Sequence, residues 1–155
     1  MKHEEKLIQR IMVKICFVMY LALLLYFLLF ADRRISAGGV NLIPFAEIRR
    51  YLHYTDILGM RLVILNLGGN VIGFMPFGYL LASMNQRFRR PWIILLMSFC
   101  FSFLIELVQF ITKVGCYDVD DILMNTLGGV LGCLANMFIL KIRSRESGKQ
   151  EENKK

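Results

Sequence analysis

The hydrophobic residues of this chain fall in four blocks, 11–31, 62–81, 91–112 and 122–140, and three of these carry polar side chains at helical spacing. Each block is close to the roughly 20 apolar residues that a helix needs to cross a bilayer. Backbone polar groups in hydrocarbon must be satisfied within the segment, so each block is predicted to be a helix. The 56% hydrophobic content of the 155 residues and the mean hydropathy of +0.51 favour a membrane protein over a globular one. The expected fold is all-α, an integral membrane bundle of about four transmembrane helices. The transmembrane domain is expected over 1–143, and a charged tail without fixed structure over 144–155.

The net charge of +7 is unevenly placed. Thirteen Lys and Arg residues lie before or at the start of the first block, in the connection holding Arg87, Arg89 and Arg90, and after the last block. The other connections hold six: Arg33, Arg34, Arg49, Arg50, Arg61 and Lys113. The positive-inside rule then puts both termini in the cytoplasm and the 32–61 and 113–121 connections outside. This asymmetry accounts for the basic balance without a nucleic-acid partner. Asp32-Arg33-Arg34 follows the first block directly, with no A-x-A site before it, so that block reads as an uncleaved span. The four cysteines show neither disulfide nor zinc spacing, and no metal or cofactor is expected.

In the long outer connection, Pro44 suits a first helical turn, and Phe45, Ile48 and Leu52 recur at helical spacing. A short helix over 44–54, lying in the interface, is expected there. It serves either as a plain amphipathic connector or as a lid.

The polar stripes suggest function. Asn66, Asn70 and Gly73 share a face of the second block. Ser98, Ser102, Glu106, Gln109 and Lys113 share one on the third, and Asp121, Asn125, Gly128, Gly132 and Asn136 one on the fourth. At about 1.5 Å per residue, Asn66 and Asn125 lie about 6 Å, Glu106 about 9 Å and Asn70 about 12 Å below the outer ends of their helices. The stripes reach similar depth, which implies an outward-facing cleft lined by amides and carboxylates. Intramembrane carboxylates cost at least about 2.5 kcal/mol unless paired or wet, so such a cluster points to function. The pairs Gly69/Gly73 and Gly128/Gly132 are expected at close helix contacts, within the chain or across a homodimer. One of Asp118 and Asp120 is expected to cap the fourth helix. Glu106 pairs with Lys113, bonds to Asn66 or Asn125, or meets a ligand.

The run Asn41-Leu42-Ile43-Pro44-Phe45, then Asn66-x-x-Gly69-Asn70, then Phe74-Met75-Pro76-Phe77-Gly78, Glu106-x-x-Gln109, and Asp118-Val119-Asp120-Asp121 ahead of Asn125-Thr126-Leu127-Gly128-Gly129 resembles the VanZ-like family of bacterial membrane proteins. The motifs cover 41–132 in the family's order. The resemblance implies a multi-pass protein of the bacterial cell membrane. It also implies a link to low-level teicoplanin resistance, the phenotype associated with the family's namesake. Similar chains often carry Arg before the aspartates. This one has Lys113, which lacks the planar fork of a phosphate clamp.

Three functions remain open at this point. The first is non-enzymatic binding or alteration of an envelope lipid, a lipid-linked envelope precursor or teicoplanin itself. Its cleft would comprise Asn41, Pro44, Asn66, Asn70, Glu106, Gln109, Asp118, Asp120, Asp121 and Asn125, with Arg49, Arg50 and Arg61 attracting lipid phosphates. The second is an enzyme acting on a lipid-linked intermediate, with Glu106 and Asp121 as catalytic candidates and Asp118 and Asp120 as further acids or oxygen ligands. No established catalytic motif supports it. The third is a small lipid or ion transporter.

Overall fold

The computed structural model describes residues 2–27, 40–54, 59–113 and 115–152. Helix α1 spans Lys2–Tyr26, and strand β1 is Val40–Asn41. Helix α2 spans Ala46–His53 and α3 Met60–Val63; a π-helical turn, Ile64–Gly68, leads into α4, Gly69–Met84. After a 3-10 turn at Gln86–Arg89 come α5, Pro91–Thr112, strand β2, Tyr117–Asp118, and α6, Val119–Glu152. The fold is all-α apart from the single β1–β2 bridge.

Three helices among the described residues are long and apolar enough to cross a membrane: Leu7–Tyr26, Pro91–Thr112 and Val119–Glu146. The block at 62–81 is helical too, but the π turn divides it. Backbone angles stay right-handed from Val63 through Gly69, so α3, the π turn and α4 form one continuous ribbon. A π turn closes i to i+5 bonds and so takes in an extra residue, which shifts the phase of side chains before it relative to those after it. Asn66 lies on this turn, and its side chain is outside the described residues. The last helix runs through Glu152, past residue 144, where the sequence reading places the start of a tail.

The tightest contact is between α4 and α6, and glycines make it. A Cβ on Gly128 would meet the Val71 carbonyl, one on Gly132 the Met75 carbonyl, and one on Gly78 the backbone of Gly129. Backbones this close are how helices gain van der Waals contact where lipid supplies no hydrophobic drive. The expectation of a close contact within the chain at Gly69 and Gly73 needs correcting. A Cβ on either would meet nothing within 4 Å. With the helix in this phase, Gly78 rather than Gly69 or Gly73 faces α6.

Phe74, Phe77, Leu81, Ala82, Ile94, Ile105 and Cys133 form the buried centre, with Leu24 of α1 at its edge. Phe77 stacks on Phe101 of α5 at 5.1 Å between ring centroids and meets Phe17 of α1 at 5.8 Å. The Tyr20 hydroxyl donates to the Gly73 carbonyl at 2.6 Å, in the turn that Pro76 disturbs from inside α4. Outward faces carry exposed apolar side chains such as Ile15, Val18, Leu96 and Phe138, as lipid-facing surfaces do.

Candidate functional site

The loops that precede α2 and α6 are stitched together. Val40 pairs with Tyr117 and Asn41 with Asp118 in a parallel bridge. The Asn41 amide donates to Asp118 Oδ1 at 3.0 Å, and its own Oδ1 accepts from the Ile43 N–H at 3.2 Å. The connection between α1 and α2 is thereby fixed over the start of α6.

Asp120 then holds α2. It is 1% exposed, and its carboxylate accepts the backbone N–H groups of Phe45, Glu47 at 2.8 Å and Ile48 at 3.2 Å. These are unsatisfied donors of a helix N-terminus, where a negative charge is favoured. α2 has no side-chain cap of its own, and Phe45 turns into it with φ 65°, a left-handed conformation. Of the two aspartates expected to compete for the cap of the last helix, Asp118 takes it, since its Oδ1 accepts the Asp120 N–H at 2.8 Å. Burial pushes the Asp118 carboxyl up from its ordinary 3.8, against the lowering effect of its bonds to Asp120 and Asn41.

Glu106 sits behind this loop, 4% exposed, with Oε2 accepting the Asp118 N–H at 3.1 Å. Among the described residues it makes no ion pair with Lys113, which instead ends α5 in a left-handed conformation. Asn125 is not its partner either. The Asn125 amide donates to Ser102 Oγ at 2.8 Å, below the cleft. Asp121 Oδ1 accepts from the Asn70 amide, which joins α6 to α4 at the same level.

A cleft of about 310 Å³ opens at this end of the bundle. α2 supplies one wall through Glu47, Arg50 and Tyr51, and Arg50 is paired to Glu47 at 2.7 Å. Asn70, Gln109, Asp118, Asp120 and Asp121 supply the polar lining, while Leu65, Leu67 and Met124 are its apolar part. Of the nine expected cleft residues whose side chains are described, five therefore line it, and Asn66 lies outside that description. Glu106 and Asn41 support the lining from behind through Asp118, Asn125 lies deeper, and Pro44 is exposed outside the cleft. Sequence reading missed Glu47 and Tyr51, although with Arg50 they fall at i, i+3 and i+4 of one helix face. Among the described residues, no group of three or more His, Cys, Asp or Glu side chains is placed to hold a metal ion.

The VanZ/LLP1 family model matches residues 17–140. The chain belongs to the VanZ/LLP1 family. The match takes in every residue of the cleft and of the loops that build it. Protein VanZ of Enterococcus faecium is 32% identical over 96 residues, covering 61% of this chain and 50% of that protein. The chain thus spans about half the length of this curated relative. No solved structure matches it. Membership in the VanZ/LLP1 family and the three long apolar helices together make this a membrane protein.

Proposed function

We propose that this chain is a four-span protein of the bacterial cell membrane that contributes to low-level teicoplanin resistance by binding an envelope lipid, a lipid-linked precursor or the lipoglycopeptide at its outer cleft. The bridge between β1 and β2 supports the fourth crossing. If α5 crosses the membrane, β2 lies on the side where α5 ends. β1 is paired to β2, so it lies on that side as well. The chain then has to cross back between β1 and the start of α5, and the ribbon Met60–Met84 is the segment that does so. Its 25 residues reach about 37 Å at ~1.5 Å per residue, enough for the hydrocarbon core. The excess of Lys and Arg at the opposite end supports cytoplasmic termini and an outward-facing cleft.

The observation that carries the reading is the cleft itself, which combines a polar lining with an apolar side formed by Leu65, Leu67 and Met124. A ligand with a polar head and an acyl chain fits such a division. Asp118 and Asp120 are engaged by backbone N–H groups as helix caps, which favours binding over an acid–base role for them. Asp121 is the lining carboxylate left to meet a ligand directly.

The test is teicoplanin susceptibility in a sensitive Gram-positive host. Empty vector, wild type, Asp121→Asn, Glu106→Gln and Arg50→Gln are compared at matched membrane levels. Resistance from wild type that falls in Asp121→Asn and Arg50→Gln supports the cleft as the binding site. Resistance kept by both variants sinks the cleft reading, and none from well-inserted wild type sinks the teicoplanin assignment.

A further inference from the structure

The other end of the bundle holds a second pocket of about 370 Å³, unconnected with the carboxylate cleft. Its cationic lining comes from three separate segments: Arg10 of α1, Arg89 of the 3-10 turn and Arg143 of α6. A charge bias that only orients the chain requires basic residues near helix ends; it does not require three of them to surround one cavity. Among the described residues none of the three is paired to a carboxylate. Arg89 Nε donates to the Ala82 carbonyl at 3.4 Å, a long bond that orients the guanidinium and leaves its Nη groups out of it.

The remainder of the pocket is polar at its floor and apolar at its flank. Ser83 donates to the Tyr79 carbonyl at 2.8 Å and accepts from the Asn136 amide at 2.6 Å. Val13 and Ile139 line the side. Three guanidinium groups beside an apolar flank suit a phosphate that is attached to acyl chains.

We propose that this pocket binds the phosphate headgroup of an anionic membrane phospholipid, and so fixes α1 against α4 and α6. Arg10 and Arg143 are exposed and reach the phosphate from outside, while Arg89 is half-buried and holds it from the loop. Guanidinium forks match phosphate oxygens in pairs, which distinguishes this site from a diffuse basic surface.

The experiment uses the full chain purified in detergent and phosphatidylglycerol carrying a fluorescent acyl chain. Unlabelled phosphatidylglycerol, phosphatidylcholine and inorganic phosphate serve as competitors. The labelled lipid is expected to bind and to be displaced by phosphatidylglycerol alone. Arg10→Gln/Arg143→Gln is expected to bind it roughly thirty-fold more weakly, from about one tenfold step per 1.4 kcal/mol and about 1 kcal/mol per basic residue. Equal displacement by phosphatidylcholine, or wild-type affinity in the double variant, overturns the proposal. Displacement by inorganic phosphate at the same concentration overturns it too, since it gives the pocket to a free anion. If the double variant does not elute as wild type does, Arg143→Gln alone takes its place. Its affinity is expected to fall about five-fold, and an unchanged value overturns the proposal.

Discussion

The Asp120 carboxylate accepts the backbone N–H of Glu47 at 2.8 Å, across 73 residues of sequence, and so holds the N-terminus of one helix from the first turn of another. Asp120→Ala would leave the Phe45, Glu47 and Ile48 donors without this acceptor in a partly buried site. Charge-assisted bonds of this kind contribute about 1.5–3 kcal/mol each, with strong overlap within one group. The expected outcome is a loss of about 2–4 kcal/mol for the docking of α2. Faster amide exchange at Phe45–Ile48, with the core amides of α4 unchanged, is the measurement. Unchanged exchange at these amides would show that the docking of α2 does not depend on Asp120.

The glycines give a contrast within one fold. Gly128→Ala drives a methyl into the Val71 carbonyl, and Gly132→Ala drives one into the Met75 carbonyl. Backbone cannot move aside as a side chain can, so each is expected to cost about 1–3 kcal/mol or more. At Gly69 the same methyl meets nothing within 4 Å, and Ala there is expected to raise stability by about 0.5–1 kcal/mol. Thermal unfolding in one detergent ranks the three, and equal effects at Gly69 and Gly128 would contradict the packing.

Asp118 sets a pH dependence. Its folded carboxyl titrates above its ordinary 3.8 because burial disfavours the charge. A raised carboxyl makes its full contribution below the unfolded value and loses it as pH rises through the folded one. Wild type should therefore lose stability relative to Asp118→Asn as pH rises from about 4, until the folded carboxyl has ionised. Melting curves of both proteins across this range decide it, and a difference that grows with pH in favour of wild type would count against the assignment.

The sequence made some of this legible and hid the rest for definite reasons. The four apolar blocks and the stripe containing Gly128 and Gly132 were readable because helical periodicity is local. The targets of Asp120 were not, since nothing near position 120 indicates that Phe45, Glu47 and Ile48 lie above it. The β1–β2 bridge was hidden for the same reason, being only two residues long on each side. Gly69 and Gly73 have the same spacing as Gly128 and Gly132, yet spacing says nothing about which way a helix face points. The spacing of Asn66, Asn70 and Gly73 assumes an unbroken α-helix, and the π turn at Ile64–Gly68 changes its phase.

Lys113 offers a last test of local geometry. It ends α5 with φ 56°, and its N–H reaches the carbonyls of Gln109 and Phe110. A left-handed residue just past a helix favours glycine, because a Cβ crowds the backbone there. The side chain is exposed and, among the described residues, makes no ion pair, so removing it forfeits little. Lys113→Gly is therefore expected to raise stability by about 0.5–1 kcal/mol, whereas Lys113→Val should lower it, since a β-branched side chain suits this conformation least. If Glu106 depended on Lys113 for its charge balance, both variants would lose stability together. Because Glu106 is instead held by the Asp118 N–H at 3.1 Å, the two are expected to move in opposite directions in a thermal melt.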